Sequence, residues 1–239
     1  MCKTGGIPII AENSILLNEI CVVYPWEDMS LKNEFFKSIK NAENLTTLRL
    51  NRLSNLKVSS LSEYLTDELP NITALNLSGG SDTNRQNNIK DLIGIELFTD
   101  LETLAINYTN GMLDISAIKN CPTLNTVNLA YCNIQSLSGI EGLINLRSLT
   151  INNNNITSLK PLENLKNLTS LNLQNNAISD TFSYIDTDGS TKTYRNLDIL
   201  ANLNSSRNGK LTSLYLSGND NIIDYSPVSS LTWSNKSGF

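Results

Sequence analysis

The sequence predicts an α/β fold: a solenoid with a concave parallel β-sheet, mostly 3₁₀ or extended return segments, and a helical cap at its N-terminus. Three observations carry the prediction. The pattern LxxLxLxxN/CxI recurs with its first leucine at Leu124, Leu146 and Leu168, a period of 22 residues. The same apolar spacing starts at Leu45, Ile72, Leu101 and Leu211, which makes seven turns. After the later LxL cores, apolar residues return at every third position, as at Ile134, Leu137, Ile140 and Leu143. Alternation through LxL is the period of a strand, and a repeat of about 20–30 residues can bury its apolar face only against neighbouring copies.

Residues 1–44 lack the repeat and are expected to cap the first turn. Within them ICVVY, before Pro25, reads as a short buried strand. Leu31, Phe35, Ile39 and Ala42 then fall on one helical face, with Asp28 or Ser30 as N-cap. Laid on the end of the solenoid, that face shields the first turn from water.

Residues 45–239 carry the turns and, with the cap, are expected to form one continuous structural domain. Successive turns are 27, 29, 23, 22, 22 and 43 residues long. The excess always follows the strand, so insertions lie on the return side and leave the sheet intact. In the first return, Ser60 and Glu63 form a capping box, and Leu61, Leu65 and Leu69 predict an α-helix that Pro70 ends. In later returns the strict period of three fits 3₁₀ or extended backbone better. Here the residues resemble the internalin type of bacterial leucine-rich repeat, most closely in NxITSLKPLENLKNL of residues 154–168. The resemblance covers residues 101–231 and implies a right-handed curved leucine-rich repeat solenoid with a concave parallel β-sheet and a binding role, usually secreted or surface-anchored. Irregular first turns depart from that pattern, and this sequence shows neither an export signal nor a wall anchor.

The longest turn contains an insertion near residues 180–210. Asp188-Gly189 between two short polar, β-prone runs predicts a hairpin with a two-residue type I′ turn. Leu197, Leu200 and Leu203 resume the spacing of a return before Leu211. Near the C-terminus, Ile222, Tyr225, Val228 and Leu231 continue it with no amphipathic closing element, so either the native protein continues or the last residues, with Trp233, cover the end.

The composition excludes several functions. Eighteen basic and 23 acidic residues give a net charge of −5, and the basic ones are scattered, which argues against nucleic acid or an anionic membrane as partner. No stretch has the length of a membrane span. Histidine is absent, which removes every site built on imidazole, and no phosphate-cradling glycine loop appears, so no cofactor or metal is expected. The acidic loop 186–189 lacks EF-hand spacing, since its glycine stands fourth instead of sixth. Of four cysteines, Cys121 and Cys132 occupy repeat positions and read as buried apolar residues. Cys2, near the N-terminus, reads as exposed, and lipid anchoring through it is one expectation.

Asn154, Asn176 and Asn219 share template position 9, with Cys132 and Thr109 as substitutes, and are expected to stack as an internal ladder bonded to backbone. Positions 3, 5 and 7 face the concave side. Small neutral polar residues dominate there, with no carboxylate over the seven turns, so general acid–base chemistry has no foothold. At position 8, on the rim, Tyr108 and Tyr131 fall on adjacent turns, followed by Asn153 and preceded by Arg52. Tyrosine and arginine anchor interfaces, so the candidate contact residues are Arg49, Arg52, Tyr108, Tyr131, Arg147, Asn153 and Tyr215. The sequence thus predicts a non-enzymatic, monomeric recognition module for a protein, with a glycan as alternative partner. It is expected outside the cell or on its surface; a cytoplasmic scaffold, or the targeting part of a larger enzyme, are the rival readings.

Overall fold

The computed structural model describes residues 2–4, 19–23, 39, 42–51, 68–69, 71–81, 89–109, 111, 113–204, 206–207 and 209–239. Among the described residues, ten strands form one parallel sheet in chain order: β1 (Cys2–Thr4), β2 (Glu19–Val23), β3 (Thr47–Asn51), β4 (Ala74–Asn76), β5 (Thr103–Ala105), β6 (Thr126–Asn128), β7 (Ser148–Thr150), β8 (Ser170–Asn172), β11 (Ser213–Tyr215) and β12 (Asn235–Ser237). All seven predicted turns supply a strand, and the register pairs equal template positions, as in Thr126 with Ser148 and Ser170.

The sheet is longer than the repeat. β1 and β2 extend it at one end, so part of the expected cap is sheet, and β12 extends it at the other. Cys2 and Cys21 stand in register on β1 and β2, and Cys21 is held in a disulfide. The predicted helix of the cap lies largely outside the described residues, although Ile39 is helical and buried and Ala42 packs against the core. The first return, residues 60–67, also lies outside them.

The core is a stack of identical layers. In one turn Leu124, Val127 and Leu129 from the strand meet Ile134, Leu137, Ile140 and Leu143 from the return, all essentially inaccessible. Each such side chain contributes about 1.5–3 kcal/mol by leaving water. The returns are 3₁₀ at Ile95–Leu97, Ser116–Asn120 and Lys160–Leu162, as a period of three requires. These three returns, and the one at 134–143 between the last two of them, are opened by the same local device: the side chains of Asp91, Asp114, Ser136 and Ser158 accept the amide two residues on.

The long turn departs from expectation twice. Residues 196–203 form an α-helix, α1 (Asn196–Leu203), not a 3₁₀ or extended return. It buries Asn196, Ile199 and Ala201 besides the three leucines, a wider face than a three-residue period implies. The hairpin exists as β9 (Thr181–Ile185) and β10 (Thr191–Arg195). Its loop, however, has three residues between the closing pair Asp186 and Ser190, and Gly189 (φ 80°) supplies the left-handed position. That is a type I turn with a bulge instead of a type I′ turn. After the single helical turn α2 (Ser226–Ser229), Tyr225, Leu231, Trp233 and Phe239 pack on the open end of the core. Trp233 donates its indole N–H to the Val228 carbonyl at 2.9 Å and meets Phe239 edge-on.

Candidate functional site

The backbone where each strand ends sets the rim. Template position 8 is left-handed in five successive turns: Tyr108 (φ 57°), Tyr131 (φ 60°), Asn153 (φ 58°), Asn175 (φ 54°) and Gly218 (φ 75°). This conformation turns the chain out of the sheet while each amide still bonds the next turn, as in Tyr108 N–H to Ala130 O and Tyr131 N–H to Asn152 O, both 3.1 Å. Asparagine and glycine suit it; at Gly218 a side chain would collide with Asn175 Oδ1, 2.0 Å from where its Cβ would stand. Tyrosine is the unsuitable choice, and it occurs twice in adjacent turns.

There the two rings stack, with centroids 4.6 Å apart and planes within 16°. Tyr131 is 44% exposed and Tyr108 partly so. Asn153 is next along the column and accepts a hydrogen bond from Asn175 Nδ2 at 3.1 Å. Asn107, one position before Tyr108, braces the row: it accepts the Ala130 amide at 2.8 Å and donates to Ser78 Oγ at 3.2 Å. Asn107 stands at template position 7, a concave-face column.

The remaining candidates are spread out. Arg147 is exposed at template position 2, six residues before the rim, or roughly 20 Å along the strand direction. Tyr215 lies on β11, three strands from β6, so about 14 Å across the sheet from the Tyr131 turn. Arg49 is on β3, two strands from β5, and its guanidinium pairs with Glu19 at 2.7 Å. Glu19 is registered with Thr47, so a carboxylate does stand in the position-3 column, one strand before the repeat begins. Arg52 lies outside the described residues. The structure therefore brings together Tyr108, Tyr131 and Asn153, and leaves Arg49, Arg147 and Tyr215 as separate points on the sheet.

The internal ladder is fully formed. Asn154 accepts the amides of Cys132 and Ile134 at 3.0 Å and donates to the carbonyls of Leu129 and Ile151 at 2.9 Å. Asn176 and Asn219 stand likewise in later turns, each accepting one amide and donating to two carbonyls. Cys132 stands in the same column, with its thiol on the Ile106 and Ala130 carbonyls. Burial pushes its thiol, and that of Cys121, up to about 12, with Glu96 adding to the effect at Cys121. Neither is a thiolate at neutral pH, so neither is poised as a nucleophile or metal ligand.

A layered parallel sheet, 3₁₀ returns and an asparagine ladder define a leucine-rich repeat protein. A family model described as leucine-rich repeats, two copies, matches residues 144–185. The chain is similar to internalin C2 of Listeria monocytogenes, at 26% identity and a TM-score of 0.60, over 93% of this chain and 76% of that one. Internalin F of the same organism aligns at 18% identity over 92% of this chain and 78% of that one, with a TM-score of 0.49. A plant peptide hormone receptor, solved in a complex, aligns at 20% identity over 83% of this chain and 38% of that one, with a TM-score of 0.45. The fold is thus that of a leucine-rich repeat protein, similar to that of internalin C2.

Proposed function

We propose that the chain is a non-enzymatic recognition module that binds a protein partner through its position-8 rim, as a monomer secreted from a bacterium or displayed on its surface. The observation that carries this reading is the Tyr108–Tyr131 stack at positive φ. A left-handed conformation costs an ordinary residue about 1–2 kcal/mol, and such strain collects where a surface is used. The stack offers a flat, half-exposed aromatic face of the kind that anchors protein interfaces, beside the hydrogen-bonding amide of Asn153. The sheet behind it spans ten strands, roughly 40 Å at the usual strand spacing, which suits a protein-sized partner. The disulfide at Cys21 supports an oxidising compartment. Among the described residues no helix is long and apolar enough to cross a membrane.

The test is an affinity comparison by calorimetry on a partner identified with the intact chain. Replacing both tyrosines by alanine is expected to weaken binding at least about 30-fold, the effect of losing a hot spot of about 2 kcal/mol. Unchanged affinity would move the interface elsewhere.

A further inference from the structure

The hairpin β9–β10 lengthens one turn well beyond what stacking needs. Its half-covered face carries Phe182, Tyr184, Lys192 and Tyr194, by strand alternation. This face overhangs the return segments of the two preceding turns and leaves a cleft of about 560 Å³ beneath it. That volume lies within the range of about 300–1,000 Å³ typical of small-molecule sites. Phe182 and Tyr184 form one wall; Gln135, Ser138 and Glu141 come from one return and Thr157 from the next.

We propose that this cleft binds an uncharged saccharide of one or two sugar rings, independently of the tyrosine rim. A sugar ring presents a C–H face and a border of hydroxyls, so its site needs flat aromatic surface beside mixed donors and acceptors. The cleft has both. Phe182 and Tyr184 are alternate residues of one strand and therefore share a face, about 7 Å apart. The electron-rich faces of such rings attract polarised C–H groups. Gln135, Ser138 and Thr157 offer amide and hydroxyl partners, and Glu141 offers an acceptor. One oxygen of Glu141 already takes the Gly139 amide at 2.7 Å, which orients the carboxylate and leaves its second oxygen for a ligand hydroxyl.

The walls are braced in advance. Tyr184 stacks on Tyr194 at 5.5 Å, with their hydroxyls 3.2 Å apart. The Lys160 ammonium lies 4.2 Å over the Tyr194 ring and is ion-paired with Glu163. At the hairpin's base, buried Asn196 donates to the carbonyls of Thr157 and Ser179 at 3.0 Å and accepts the Leu159 amide at 2.8 Å. Arg195 pairs with Asp224 across to the following segment. A site held this way loses little freedom when its ligand enters. Charge selects against anions, because the nearby cation is already paired and Glu141 repels them. A basic peptide is less well served, since Glu163 is neutralised by Lys160 and one carboxylate remains among neutral polar groups.

Saturation-transfer difference NMR on the full chain tests this, with maltose, chitobiose and lactose as probes and a lysine-rich peptide as the charged comparison. Transfer to at least one disaccharide is expected. Phe182→Ala and Gln135→Ala should each weaken it at least about tenfold with unchanged circular dichroism, whereas Tyr108→Ala/Tyr131→Ala should leave it intact. Transfer to no disaccharide, transfer that Phe182→Ala and Gln135→Ala do not alter, or transfer to the peptide alone would overturn the proposal.

Discussion

Tyr108 and Tyr131 stack at 4.6 Å although each sits at positive φ, a conformation the next two turns assign to asparagine. Two left-handed tyrosines cost about 2–4 kcal/mol together, while a stacked pair returns about 0.5–1.5 kcal/mol. The strain therefore outweighs the stack. Replacing both residues by asparagine is expected to raise unfolding stability by about 1 kcal/mol, read as a higher urea midpoint at unchanged slope. Loss of stability in the double variant would make the rings packing residues.

Asn154 has the opposite sign. Its side chain satisfies four backbone groups within the core. Asn154→Ala leaves them buried without partners and is expected to cost about 3 kcal/mol by urea denaturation. Its neighbour Asn153 is half-exposed on the rim, and Asn153→Ala should change stability by less than about 0.5 kcal/mol.

The buried thiols give a pH dependence. Cys121 and Cys132 titrate near 12 when folded, above the 9.0 of an unperturbed thiol. The folded chain therefore keeps protons that the unfolded chain gives up. Their contribution is fully present below about pH 9 and is lost as pH rises through the folded values. Stability followed by denaturant titration should fall across that window, and less steeply in Cys121→Ala/Cys132→Ala. In native protein at pH 8, neither thiol should react with Ellman's reagent until the chain unfolds.

Register and cysteine count point to one cross-link. Cys121 and Cys132 are free, Cys21 is disulfide-bonded, and its partner in register is Cys2. Non-reducing peptide mapping of the chain produced in an oxidising compartment is expected to recover Cys2 joined to Cys21. A lipid-modified or free Cys2 would contradict this and return lipid anchoring to the account.

Much of this was readable beforehand, because the physics is local and periodic. LxL alternation marked the repeat strands of the parallel sheet from Thr47–Asn51 to Ser213–Tyr215, and equal spacing put Tyr108 beside Tyr131. What escaped lacked a period. β1 and β12 join the sheet without the template, because edge pairing depends on backbone and not on leucines, whereas β2 falls where ICVVY predicted a strand. Asn196–Leu203 shows leucines three apart, a spacing that α and 3₁₀ helices both allow. The left-handed column was hidden by its own exceptions, since two of its five members are tyrosine. The cleft beneath the hairpin joins residues from three segments, so no single stretch of sequence announces it.

Site-specific photocrosslinking tests the central claim most directly. A benzoylphenylalanine probe in place of Tyr131 reports what touches the rim, and the same probe at exposed Lys119, on the return side, serves as control. Recognition through the rim predicts one saturable protein adduct from position 131, suppressed by excess unlabelled chain, and none from position 119. Adducts from position 119 alone, or from neither position, would contradict it.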